Sequence, residues 1–364
     1  MKRQNLLILV LVLILIAGTL AGCGGTGNAS GNNQTQEPAQ QQEDQPLRIA
    51  LIGRNFGDGG PVEDMARGAD RAAAEFGIEI SRLESDSPAH FEEDVRAMAS
   101  THDLVITSFP WMSDSVAMVA DEFPGTMFSS IFQFINAGDS SIPNVWSTEF
   151  HGQAAFYIAG YIAGSVTQAD RIGLIIGGEE PTPNAEGNAF MRGVRQSNPN
   201  AVVDFAFVGS YEDPARAYEI AAAMISGGAD VLQTSSGASN AGVVEAAMEA
   251  GIVVAGEITD FFDVYEGFMG IVGIGFGETV YQSIRYFIEG NFPAGEHGYR
   301  DMINGGYFID WASYERFAQS NAEFGPALQA AITSARELES QILSGQLYIE
   351  FDATVPNWAR ISGE

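Results

Sequence analysis

Aromatic, small polar and acidic side chains recur just after short apolar runs, and these are the residues of the chain best suited to chemistry. Asn55, Phe56 and Asp58 sit in a glycine-rich turn, and Phe109-Pro110-Trp111 with Asp114 follow a second run. Tyr211, Ser235-Ser236-Gly237, Glu257 and Asp260-Phe261-Phe262 follow later ones. Flat apolar faces beside a few oriented hydrogen-bonding groups make a pocket that grips a small polar ring. Carboxylates accept from hydroxyls or pair with cationic groups. With Arg54 the one nearby counter-charge, phosphate is a poor fit. Trp111 is the strongest single candidate, because it follows Pro110 in a loop rather than lying on a helical stripe.

Covalent or metal chemistry finds little support. The four histidines, His90, His102, His151 and His297, show no ligand-like spacing. There is no G-x-S-x-G elbow and no Walker P-loop. "GIGFGET" (Gly273 to Thr279) mimics a dinucleotide fingerprint, but Glu278 stands where its third glycine belongs. Glu179-Glu180 reads as solvated loop charge in so acidic a chain. We expect a binding protein rather than an enzyme, with no cofactor and no metal.

The elements that position these residues follow from periodicity. Strands are expected at 48–53, 78–83, 103–107, 126–130, 171–176, 202–208, 230–234, 252–256 and 270–274. Helices are expected between them at 62–76, 89–100, 113–122, 151–167, 186–197, 214–227, 239–250 and 277–290. Gly251 supplies a C-cap signal, and Asp213-Pro214 an N-cap followed by proline at the first helical position. Such alternation predicts an α/β protein with parallel sheets covered on both faces. Nine strands divide more naturally into two sheets than one, and ligands of such sheets sit beyond the carboxyl ends of the strands. A helix over about 311–343 and a final strand in "QLYIEF" are expected to cross back.

The remainder of the chain sets the compartment. Lys2 and Arg3 precede an unbroken apolar run of 12 residues, Leu6 to Ala17, and small residues lead to Cys23, the only cysteine among 364 residues. This reads as a secretory leader over 1–22 rather than a membrane span. Residues 23–46 are polar and low in complexity, and read as a disordered tether. Its root-mean-square reach is roughly 25–30 Å. The formal charge is −30, and losing Lys2 and Arg3 takes it to −32. Of 17 basic residues, 16 are arginine and Lys2 is the lone lysine, so nucleic acid and anionic lipid surfaces are poor partners. Self-repulsion on that scale fits a high-salt exterior, where the Debye length is about 3 Å at 1 M salt.

Three stretches carry a family resemblance: "PNVWSTEFHGQAAFYIAGYIAG" (Pro143 to Gly164), "FVGSYEDPARA" (Phe207 to Ala217) and "GADVLQTSSGASNAGVVEAAMEAG" (Gly228 to Gly251). With "LAGC" resembling a lipobox, the chain resembles the basic membrane protein family of lipoproteins, purine nucleoside receptor A-like substrate-binding components of ABC transporters. The resemblance covers roughly 47–310. It implies two Rossmann-like lobes of type I periplasmic-binding-protein architecture, joined by a multi-strand hinge. Lobe 1 is then 47–146 completed by about 259–310, lobe 2 is 147–258, and 311–364 crosses back. It further implies a monomer held extracytoplasmically by lipid on Cys23, delivering a nucleoside-like ligand to a permease. Uptake or sensing of a sugar, an amine or a signal molecule on the same scaffold is the alternative.

The binding motifs depart from the family pattern. The nucleoside-binding Asp-Asp-x-Ser-Phe-Asn-like run is "GDGGPVED" here, which keeps Asp58 and has Val62-Glu63 in place of Phe-Asn. Gly256-Glu257-Ile258 stands for Gly-Val-Asp, whose aspartate reaches ribose hydroxyls, with Glu257 or Asp260 as substitutes. Tyr211 takes the aromatic place in a Gly-Ser-Phe-x-Asp-Pro-like motif, and Asp114 matches an aspartate after the third strand. The family's lysine falls in "GIVGIGFGE", which contains none.

Overall fold

The computed structural model describes residues 47–363, apart from Asn55, Asp58, Gly59 and Ser140. The leader, Cys23 and the tether lie outside the described residues, as do the candidate ligand contacts Asn55 and Asp58. Among the described residues no helix is long and apolar enough to cross a membrane.

The chain opens with β1 (Ile49–Gly53), α1 (Pro61–Phe76), β2 (Ile80–Glu84), α2 (Phe91–Ala99) and β3 (Leu104–Ser108). Next come α3 (Ser113–Ala120), β4 (Met127–Ile131), β5 (Val145–Phe150) and α4 (Gln153–Val166). The same alternation repeats in β6 (Arg171–Ile176), α5 (Pro181–Ser197), β7 (Val202–Phe207), α6 (Pro214–Ser226) and β8 (Val231–Ser235). It continues through α7 (Asn240–Ala250), β9 (Val253–Glu257), β10 (Phe268–Ile274) and α8 (Phe276–Ile288). The chain ends with β11 (His297–Arg300), β12 (Tyr307–Ile309), α9 (Trp311–Ser320), α10 (Gly325–Leu343) and α11 (Trp358–Ser362).

Two six-stranded sheets result, ordered β11-β5-β4-β3-β1-β2 and β12-β10-β9-β8-β6-β7. All pairings are parallel except β10 with β12. Period-2 patterning decides which side chains go where. Ile49, Leu51, Leu104 and Ile106 join one apolar layer with α1, while Ile52, Val105 and Phe128 pack under α2 and α3. The second lobe repeats this, with Ile172, Leu174 and Ile176 toward α4 and α5, and Ile175, Leu232 and Val254 toward α6 and α7. In each sheet the winding direction reverses beside the first strand, which places a switch point between β1 and β3 and another between β6 and β8. The registers Ile52↔Thr107 and Ile176↔Ser235 bring the chain segments after those strands side by side.

The expected α/β architecture of two parallel-sheet lobes is therefore present, with informative differences in detail. Strand β10, expected to complete the first lobe, pairs with β9 and β12 in the second sheet. Only α8, packed on α1, and β11, paired with β5, return to the first lobe. Strands β5, β11 and β12 escape the periodicity reading because they are short or broken by polar residues: "VWSTEF", "HGYR" and "YFI". The helix expected over 311–343 is two helices. Asn321 separates them by accepting from the Glu323 and Phe324 amides at 3.1 and 2.9 Å. Helix α5 starts at Pro181, five residues before its expected start, because proline is well tolerated in a first turn. The segment "QLYIEF" forms no strand.

The chain passes between lobes three times, at 151–152, at Gly275 and at 301–306, and these passages are bonded to each other. His151 N donates to Arg300 O at 2.8 Å, and Gly275 N to Gly306 O at 2.8 Å. The return of α8 requires close backbone approach, since a Cβ on Gly68 of α1 would stand 1.9 Å from Gly277 O. Gly68→Ala is therefore expected to destabilise the protein by about 1–3 kcal/mol through overpacking, despite alanine's better helix propensity. The midpoint of urea denaturation measures it.

Candidate functional site

On the first lobe, the site begins with rings. Phe109 follows β3 with a left-handed backbone (φ 67°), and Phe132 follows β4 with φ 58°. Non-glycine residues rarely adopt this region, and when they do it is held by the surroundings. Here Phe109 N donates to Ile131 O at 2.8 Å. The turn presents Phe109 stacked on Trp111, centroids 4.7 Å apart, and places Phe109 5.3 Å from Phe276. Phe276 lies 4.8 Å from Phe150, and Phe150 lies 6.3 Å from Tyr307, so a continuous wall of rings runs from Trp111 to Tyr307. Trp111 is 44% exposed at the open end, with the Arg54 guanidinium 5.6 Å over its ring. Phe56 is partly buried against the same core, in a turn closed by the Gly57 amide donating to Glu63 at 2.8 Å. Asp114 lies exposed in the first turn of α3.

On the second lobe, the site is made of carboxylates and hydroxyls. Glu257 ends β9, is 7% exposed, and accepts from Ser235 Oγ at 2.8 Å and from the Gly237 amide. Burial raises its carboxyl from the ordinary 4.5 to about 7, against the lowering effect of those two bonds. Ser236 does a different job: its amide and hydroxyl both donate to Asn240 Oδ1, at 2.8 and 2.9 Å, which locks the turn into α7. Tyr211 lies flat over Gly177, where a Cβ would stand 2.3 Å from the ring, and its hydroxyl donates to Glu180 at 3.4 Å. Burial and then the Glu180 charge push the Tyr211 phenol upward. Asp260 is held elsewhere, paired with Arg316 of α9 and capping the Phe262 amide at 2.9 Å.

Two site residues went unread in the sequence. Glu186, in the middle of α5 and 3% exposed, accepts from the Tyr307 hydroxyl at 2.7 Å. Burial, then the charge of Glu257, raises the Glu186 carboxyl well above its usual range. Gly152, in the first passage between lobes, makes room for both partners. A Cβ there would stand 2.3 Å from Glu186 Oε1 and 2.7 Å from the Tyr307 ring. The available signal was a glutamate amid small and apolar residues in "NAEGNAF", since charged groups are seldom buried without function or partner. Tyr307 gave no such signal, because β12 was not foreseen. Glu180, expected as loop charge, is indeed exposed at the start of α5. The structure thus places Phe109 and Trp111 after β3, and Tyr211, Gly237 and Glu257 after or at the ends of β7, β8 and β9, while Tyr307 joins the ring series to Glu186. Among the described residues no group of three His, Cys, Asp or Glu is placed to hold a metal ion.

Two doubly wound lobes joined by three linking passages define the type I periplasmic-binding architecture. An ABC transporter solute-binding protein of Aeropyrum pernix K1 shares the fold, with TM-score 0.66 and 20% identity, over 84% of this chain and 94% of that one. One from Conexibacter woesei gives 0.65 and 21%, over 84% and 98%. The Bmp family model, described as ABC transporter substrate-binding protein PnrA-like, matches residues 49–308, and the chain belongs to that family. Relatives include a CD4+ T-cell-stimulating antigen of Listeria monocytogenes, 26% identical over 50% of this chain and 48% of that one. Basic membrane protein A of Borreliella burgdorferi is 24% identical over 57% and 60%. A purine-binding protein of Brucella abortus is 28% identical over 50% and 51%. The chain spans about half the length of these curated relatives.

An acid whose pKa rises on folding binds its proton more tightly in the native state. Stability from Glu257 is therefore fully present below 4.5 and lost as pH rises through about 7, and Glu186 acts in the same sense. Chemical denaturation of the unliganded protein between pH 4.5 and 8 should show this falling limb, and Glu257→Gln should flatten it.

Proposed function

We propose that this protein is a lipid-anchored, extracytoplasmic binding component that captures a small ring-bearing polar ligand, of the purine nucleoside class or a similar heterocycle, and delivers it to an ABC permease. The reading rests most on one observation: the wall of rings from Trp111 through Phe109 to Tyr307 ends at the buried carboxylate of Glu186. Rings stack on a planar base, and carboxylates accept from hydroxyls, so a nucleoside uses both halves of the site. Trp111 and Phe109 carry the stacking from the first lobe and Tyr211 from the second, while Glu257 accepts from the ligand's polar end. Phe56 and Asp114 contribute from the first-lobe turns, and Asn55 and Asp58 join them as ligand contacts. Hinge closure about the three bonded passages brings the halves onto the ligand. Cys23 carries the lipid, the body acts as a monomer, and the bound ligand is released unchanged.

Thermal unfolding against a panel of nucleosides, bases, sugars and amines tests this. A ligand at 100 times its dissociation constant adds about 2.7 kcal/mol of stability. Stabilisation by purine nucleosides is expected. Silence from every nucleoside with a response to a sugar would overturn the assignment. Trp111→Ala and Tyr211→Ala should each weaken binding by about 1–3 kcal/mol, as the loss of an aromatic anchor does.

A further inference from the structure

Glu186 and Glu257 carry two carboxylates into the interior, and among the described residues neither is paired with a cation. Their bonded partners are neutral: the Tyr307 hydroxyl for Glu186, and the Ser235 hydroxyl and the Gly237 amide for Glu257. The chain's lone lysine is Lys2. Among the described residues every ion-paired arginine serves another acid, and Arg195 and Arg300 bond the Ile361 carbonyl and the Thr279 hydroxyl. Arg54 lies over the Trp111 ring, at the open end of the aromatic wall. That contact is independent of the acids, and it shows the wall receiving a cation from the chain itself.

We infer that the ligand supplies the missing positive charge: the site takes a ring-bearing organic cation, such as a nucleoside alkylated at a ring nitrogen. This deepens the function proposed above and rests on the same site. The physics favours it on two counts. An ionised carboxylate buried without a counter-charge is costly, so each of the pair is stabilised by an incoming cation and by little else in reach. A cationic ring is also drawn to the faces of Trp and Tyr, by about 0.5–2 kcal/mol when desolvated. A neutral nucleoside hydrogen-bonds to a carboxylate but leaves the charge of the pair uncompensated. Burial raises both carboxyls, and the Glu257 charge raises Glu186 further, so the cation competes with protons and its affinity rises with pH toward and beyond about 7. The titratable groups facing the pair are Tyr307 and Tyr211, the latter bonded to Glu180, all acidic or neutral, so none reverses that sign.

Titration calorimetry of the protein at neutral pH with 1-methyladenosine, whose ring is cationic, and with adenosine reads the charge preference within one nucleoside class. Phenyltrimethylammonium supplies the cation without a nucleoside. We expect 1-methyladenosine to bind at least about tenfold more tightly than adenosine, a difference of about 1.4 kcal/mol. Glu186→Gln and Glu257→Gln should each bring the two affinities to within about threefold. Should one variant fail to fold, the other carries the comparison. Adenosine binding as tightly as 1-methyladenosine would overturn the inference and leave the nucleoside reading standing. Binding of phenyltrimethylammonium with neither nucleoside bound would support the inference and overturn the nucleoside reading. A preference unchanged in the Gln variants, or no binding of either cation, would overturn it.

Discussion

A chain that passes between two lobes three times must bring three backbone segments together without leaving their polar groups bare, and the rest of this molecule is arranged around that requirement. The passages solve it by bonding to each other, His151 to Arg300 and Gly275 to Gly306. The fit is so close that a side chain at Gly275 would stand 2.0 Å from Gly305 O. Beside this hinge, His151 Nε2 contacts Glu149 at 2.7 Å, and its ring stacks on Phe351 of the C-terminal segment at 4.2 Å. Burial alone would raise Glu149, but the His151 bond and the His297 imidazole 3.6 Å away outweigh it and hold the carboxyl at about 2. The C-terminal segment runs on along α5, where Asn184 and Asn188 donate to the carbonyls of Ala353, Asp352 and Thr354. Helix α5 carries Glu186, so the same anchoring positions the deepest acid of the site.

Electrostatics divides the molecule in two. On the surface, arginines meet acids in pairs such as Arg48 with Asp103 and Arg96 with Glu92 and Glu122. Exposed pairs of this kind contribute little each, and salt screens them. They moderate a net charge of −30 more than they hold the fold. Inside, the balance reverses: among the described residues no arginine pairs with Glu186 or Glu257, and burial raises both carboxyls because the charged form is poorly solvated there. The aromatic wall performs two tasks at once. Phe150 and Phe276 are buried members of the shared core, and Phe109 and Trp111 extend that stacking outward to the solvent-facing edge.

The sequence by itself determined the alternation of elements, and through it the two-lobed α/β architecture, because period-2 and helical patterns act locally and survive without knowledge of partners. It located the strand ends well enough to place Phe109, Trp111, Tyr211 and Glu257 at or just after them, where parallel sheets leave their open edge. Pairing was a different matter. Which sheet β10 joins depends on contacts across long loops, and nothing in "FMGIVGI" distinguishes one sheet from the other. Strands such as "HGYR" exist because β5 offers them an edge, not because of their own propensity. Only tertiary structure drew Asp260 away to Arg316 and brought Glu186 to Tyr307, residues 121 positions apart. Desolvation and pairing are properties of what surrounds a side chain, and for those two acids the surroundings come from segments far along the chain, β12 for Glu186 and α9 for Asp260.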